Sequence, residues 1–217
     1  MSGKRDYYDS NPLLEFGELV FNLMVLNVLW VLCSFLVVTI GASCTALNYT
    51  CIKMRRDEGD SVIKMFFRSF TMNLRQALIL GTGMLIIFIL LLAGFIQFLG
   101  MAYAGSLIGK LLTVVVVLVF CIWLIAYTYM FMLLARFDNS LKETLRNTLY
   151  FSLVEYKTTF KLLVREITFM IVIPVICFYF LPYLFPMFIF FGMPVITYIN
   201  AKDFNEMFED FLANQKS

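Results

Sequence analysis

Lys64, Arg68, Thr71 and Arg75 fall at steps of four, three and four, which places three cations on one face of a helix. Val62, Ile63, Phe66, Phe67, Phe70 and Leu74 fill the opposite face. A basic stripe backed by an aromatic face can sink into a bilayer interface while its cations meet lipid phosphates, and the same stripe can dock a partner protein. A second constellation is Arg136, Asp138 and Asn139 around Phe137, followed by Ser140 and Glu143 as an S-x-x-E capping box. Capping and surface anchoring account for Arg136 and Asp138, with docking as the alternative role. Asn22 and Asn27 lie within an apolar run, where an amide seeks a partner on a neighbouring helix and serves packing more readily than substrate binding.

Catalysis has much less to work with. The chain has no His, which removes the commonest general base and the commonest metal ligand together. Asp138, Glu143, Glu155 and Glu166 are the carboxyls an acid/base pair would need, and each reads equally well as a cap or a surface charge. The five cysteines (Cys33, Cys44, Cys51, Cys121, Cys177) form no C-x-x-C pair and read as unpaired buried thiols. No catalytic residue, metal site or cofactor is expected. A G-x-x-x-x-G-K-[ST] phosphate loop is also missing from the sequence, which excludes a P-loop ATPase.

The elements that carry these residues are set by composition. At 61% hydrophobic, with 24 Phe and a mean hydropathy of +0.85, the chain has more apolar material than a core of its size can hide, so its surface must be apolar too. A net charge of only +2, with the cations flanking apolar runs, points to a membrane and away from nucleic acid. The expected fold is all-α: a polytopic membrane helical bundle in one domain, residues 1–217, with about five transmembrane helices and two cytoplasmic amphipathic helices.

The first span covers 16–40, long enough for the roughly 20 residues a crossing needs and a poor fit to a cleaved signal peptide. Residues 41–52 (GASCTALNYTCI) are too short to cross and contain small residues that permit close approach. A short helix folded against the bundle or lying at its cytoplasmic edge is expected there, with a re-entrant half-span as the alternative. The EGD turn (Glu58 to Asp60) leads into an amphipathic segment at 61–77. Spans two and three cover 78–99 and 111–134, joined through Gly105 and Gly109, with Gln97 read as an interfacial amide. The second amphipathic segment, 140–161, has Leu141, Leu145, Leu149, Leu153, Tyr156 and Phe160 as its apolar face. Spans four and five are placed at 162–181 and 183–199 around a tight connection at Pro182. Pro174 and Pro194 should kink them, and Arg165 and Glu166 should snorkel at the edge of the fourth. The tail from Lys202 has Phe204, Phe208 and Phe211 spaced to lie on the bilayer.

Charge sets the expected orientation. Six Lys/Arg lie in 53–75 and six in 136–165, against Lys110 alone on the other side, so both basic regions are expected in the cytoplasm. Five spans then put the N-terminus outside, against a weak objection from Lys4 and Arg5. The order of basic amphipathic helix then hydrophobic hairpin occurs twice, at 61–134 and 140–199, which reads as an architectural repeat.

The strings LNVLWVLCSFLVVTIGASCTAL (26–47), FFRSFTMNLRQA (66–77), LARFDNSLKETLRNTL (134–149) and GMPVITYINAKDFNEMF (192–208) resemble the YesL-like family of bacterial membrane proteins, in that family's order. Leu36 departs from the pattern, standing where the family usually has a proline before T-I-G. The resemblance implies a bacterial cell-membrane protein of unknown function, with members commonly encoded beside carbohydrate ABC transporters and glycoside hydrolases. The implied partners are permease subunits of such an importer, besides the lipid bilayer and further copies of the chain itself. It assigns no catalytic residue, and the chain lacks the E-A-A type loop of an importer permease. An accessory subunit of carbohydrate import is thus the leading expectation, ahead of a stand-alone carrier or channel and of a membrane enzyme.

Overall fold

The computed structural model describes residues 12–58, 61–180 and 185–214. All regular structure among them is helical: α1 (Pro12–Ser34), a 3-10 turn (Val37–Thr39), α2 (Ile40–Arg55), α3 (Val62–Tyr103), α4 (Leu107–Arg136), α5 (Leu141–Val154), α6 (Tyr156–Ile167), a π turn (Thr168–Val172), α7 (Ile173–Phe180) and α8 (Phe185–Asn214). Four described stretches are long and apolar enough to cross a membrane: α1, α3, α4 and Tyr156–Tyr179. The expected fifth span, 183–199, begins outside the described residues and continues as the first half of α8. The connection at Pro182, the Gly59–Asp60 part of the EGD turn, and Lys4 and Arg5 also lie outside them.

The short segment after the first span is the centre of the bundle. α2 packs against α1, α3, α4 and α8, and Gly41 through Leu47 are all buried. Gly41 lies against the α3 backbone, where a Cβ would come within 2.7 Å of the Gly81 Cα. Two glycines let the helices cross at backbone contact, the use of small residues that lipid-embedded bundles favour. The first span is therefore shorter than the expected 16–40. It stops at Ser34, and the Thr39 hydroxyl, donating to the carbonyls of Cys33 and Leu36, secures the turn into α2.

The expected boundary between 61–77 and 78–99 does not exist. α3 runs through both as one helix of 42 residues, about 63 Å at 1.5 Å per residue, twice the hydrocarbon thickness of about 30 Å. No Pro interrupts it, and Ala77 to Leu80 continue the helix without strain. Its aromatic face is divided, with Ile63 and Phe67 left exposed. Phe66 is fully buried in a core with Leu47, Tyr129, Leu133, Phe204 and Phe208, while Lys64, Arg68 and Arg75 face outward. Ser61 holds the N-cap position without a side-chain bond.

α3 and α4 form a hairpin through Gly105, whose φ of 88° suits a residue without Cβ. Gly109 then meets the Met101–Ala102 backbone, so the two glycines serve the turn and the close approach separately. Trp123 Nε1 donates to the Met84 carbonyl at 3.1 Å and pins the hairpin. From Ile86 to Ile122 the hairpin shows mostly outward-facing Ile, Leu and Val, a surface suited to lipid and not to water.

The second half departs further from expectation. Ser140 and Glu143 form the capping box, but α5 ends at Val154 and α6 begins at Tyr156, before the expected edge at 162. α5 buries Thr144, Thr148 and Phe151 and exposes Leu145, Leu149 and Leu153, so the apolar face read from the sequence turns away from the bundle. The π turn sits just before Pro174, whose missing N–H leaves the Met170 carbonyl without an α-helical donor. α8 continues through Pro194, and the expected bilayer-lying tail is its second half, with Ala201, Phe204, Met207 and Phe208 in the core.

Candidate functional site

α6 and α8 meet along a ladder of charge. Lys161 and Arg165 stand one turn apart on α6, opposite Asn200 and Asp203 on α8, spacings of four and three that place each pair on one face. Lys161 and Arg165 both pair with Asp203, the latter at 2.7 Å. Arg165 Nη1 also donates to Asn200 Oδ1 at 2.8 Å, and Asn200 Nδ2 donates to Glu166 Oε1 at 2.7 Å. The ladder descends from Lys161, whose side chain is 59% exposed, to Glu166, which is 8% exposed. Burial pushes the Asp203 carboxyl up, yet the hydrogen bonds from Lys161 and Arg165 outweigh it and hold the group below the usual carboxylate range.

Glu166 therefore does not snorkel. The one-residue step from Arg165 turns it about 100° around the helix, into the bundle instead of along its edge. It borders two spaces. One is a small cavity of about 30 Å³, mostly apolar in its walls but with Cys44, Asn48, Tyr127, Thr128 and Thr197 among them, large enough for a bound water. The other is an apolar groove of about 430 Å³ between the α3–α4 hairpin and α6 with its π turn. Tyr127 separates them; its hydroxyl lies 2.9 Å from Cys44 Sγ, which also accepts from Trp30 Nε1. Phe88, Trp123, Tyr127 and Phe131 form one run of ring contacts, at successive centroid spacings of 5.3, 5.4 and 5.0 Å.

Residues 23–95 match the family model described as protein of unknown function, DUF624. The match is consistent with the YesL-like resemblance and covers about a third of the chain. It supplies the α2 wall of the small cavity, the Gly41–Gly81 crossing and the α3 side of the groove, while Glu166 and Asn200 lie beyond it. No curated protein and no solved structure matches the chain. With four helical stretches long and apolar enough to cross a bilayer among the described residues, the chain is a membrane protein suited to a lipid environment.

The residues singled out in the sequence lie mostly elsewhere. Lys64, Arg68, Arg75 and Asp138 are exposed. Arg136 turns back onto α8, donating to Asn205 Oδ1 at 2.9 Å with its guanidinium 5.4 Å from the Phe208 ring centre. The cap of α5 is Ser140, so Asp138 is not needed for it. Asn139 Nδ2 is buried without a partner among the described residues. Asn27 is buried in α1, and Asn22 borders a polar surface hollow with Lys53 and Glu58. All five cysteines are free, as the spacing indicated. Among the described residues no group of three His, Cys, Asp or Glu could hold a metal ion. Glu166, Asn200 and Asp203 were missed as a site; the available signal was the matched four- and three-residue spacings and a carboxyl inside a span, which is costly without a purpose.

Proposed function

We propose that the protein is a multi-pass subunit of the bacterial cell membrane that works through contact with other proteins, as an accessory to carbohydrate ABC import. The resemblance to YesL-like proteins supplies the importer, and one structural observation supports the mode of action. The first third of α3 projects beyond an apolar band while rooted in the core through Phe66, so Lys64, Arg68 and Arg75 are presented on a rigid rod. Arg136, Asp138 and Asn139 lie at the same basic end. In this reading 53–75 and 136–165 face the cytoplasm, where the excess of cations belongs, and neither an ATPase site nor enzymatic chemistry is involved.

Crosslinking in native membranes followed by mass spectrometry tests it. A permease pair recovered with the wild-type chain and lost with a Lys64→Glu/Arg68→Glu/Arg75→Glu variant of unchanged thermal unfolding supports docking. Repeated absence of any stable neighbour under mild detergent overturns it. The groove beside Glu166 favours a second reading, a small carrier acting alone or as a homo-oligomer. Sugar uptake by reconstituted vesicles holding only this chain would establish the carrier and displace the accessory.

A further inference from the structure

We infer that the groove between the α3–α4 hairpin and α6 is a binding site for an amphiphile whose head donates a hydrogen bond to Glu166 and whose apolar body fills the space against Phe88 and Trp123. The groove is about 430 Å³, within the range of sites that enclose a small ligand. Its walls are Met84, Leu85 and Phe88 from α3, Phe120 and Trp123 from α4, and Met170 from the π turn. Glu166 is the one charged residue among the lining side chains. It is more than nine-tenths buried as a residue; Asn200 donates to Oε1, while Oε2 is not sealed off and accepts no hydrogen bond among the described residues. A carboxyl oxygen bordering an apolar space finds no protein donor there, and a ligand that brings one can supply it.

The remaining features set the ligand class. An apolar wall of this extent cannot be satisfied by water, so the body must be hydrocarbon or aromatic. A carboxylate head would meet the ionised Glu166 as a like charge, and is disfavoured. Hydroxyl and ammonium heads share the needed donor. Asn200, held by Arg165, fixes the Glu166 oxygen that the ligand does not use. The site neither requires nor excludes the docking role, because binding here involves none of Lys64, Arg68 or Arg75.

The chain has two Trp, so a Trp30→Phe background leaves Trp123 as a fluorophore in the groove wall. The full-length protein in lipid nanodiscs is titrated with bromoalkyl probes of one chain length that carry an alcohol, an amine or a carboxylate. Saturable quenching by the alcohol, the amine or both, at least about tenfold tighter than by the carboxylate, is expected, the difference one buried hydrogen bond to a charged group makes. Alcohol alone or amine alone names the head. Glu166→Leu should abolish the head preference. Leu85→Trp, in the same background and read by native mass spectrometry with the same probes, fills the groove without touching the α6–α8 ladder and should abolish binding of all three. Linear, unsaturable quenching identical for the three heads, or equal binding of the carboxylate, overturns the site.

Discussion

The two basic amphipathic segments share a sequence pattern and part ways in the structure. In the first, Val62 and Phe66 of α3 are buried, though Ile63 and Phe67 stay exposed, and the helix runs unbroken into its span; in the second, the leucine face of α5 is exposed and the chain breaks at Glu155 before α6. The difference lies in what each has to pack against. α3 meets the small-residue face of α2, where Gly41 allows backbone contact, and so Phe66 can enter the core. α5 turns Thr144, Thr148 and Phe151 inward, with the Phe151 ring against Phe208 and Phe211 of α8, leaving its leucines outside. Amphipathicity thus told which faces differ in polarity, and the neighbour's shape decided which face turned inward.

The sharpest test of that contrast is Phe66→Ala against Leu149→Ala. Truncating a fully buried Phe leaves a cavity and should destabilise by about 3–5 kcal/mol, whereas Leu149, 63% exposed, should change stability by no more than about 0.5 kcal/mol. Thermal unfolding in one detergent compares them, and equal losses would mean that the two segments pack alike. Next in size is the crossing that admits α3. Gly41→Val must push the α2 and α3 backbones apart and should cost about 1–3 kcal/mol, while Gly83→Val, on the same helix as Gly81 but with nothing within 4 Å of its Cβ, should be close to neutral. Matching losses at the two glycines would remove the close approach as the reason α3 packs inward.

Much of this was legible from the residues. The helical class, the hairpin at 78–134, the Ser140–Glu143 cap and the free thiols all follow from local period and spacing, which need only nearby residues. What was not legible depends on distant partners. Hydropathy rises between residues 77 and 78, but a change in hydropathy is not a break in a helix, and α3 continues. Glu166 reads as an edge residue because its neighbours in sequence are Arg165 and an apolar span; its real neighbours, Asn200 and Tyr127, lie on helices 34 and 39 residues away. The Phe204–Phe208 pair reads as an interfacial turn until α1 and α2 are known to cover it.

The second segment leads into a helix pair held by charge, α6 against α8. Asp203→Asn removes the anion shared by Lys161 and Arg165 and should cost about 1–3 kcal/mol, discounted because Lys161 is largely exposed. The folded Asp203 carboxyl titrates below its ordinary value, so the wild type binds fewer protons at that site folded than unfolded. Its advantage over the variant is complete above the ordinary Asp range and shrinks as pH falls through the folded value. Unfolding midpoints of the two proteins should converge in acid and separate near neutrality. A constant gap across that range would show that Asp203 acts by shape and not by charge.

The smallest stability effect belongs to the exposed face of α5. Leu149→Ser/Leu153→Ser removes two side chains that are 63% and 75% exposed and touch little of the protein, so the unfolding midpoint in detergent should stay within about 0.5 kcal/mol of wild type. The effect should appear instead in a bilayer. Tyr156 and Phe160 continue the exposed apolar surface onto α6, so a helix placed this way rests its leucines at the edge of the hydrocarbon with Lys142 and Arg146 near the headgroups. Photolabelling of α5 by a lipid-borne probe should fall several-fold in the double variant, with α4 labelling as the unchanged control. Labelling of α5 that is already at background in the wild type would mean these leucines await a protein and not lipid, and would bring the two amphipathic segments back together as protein-contact helices that differ only in whether the partner is part of the same chain.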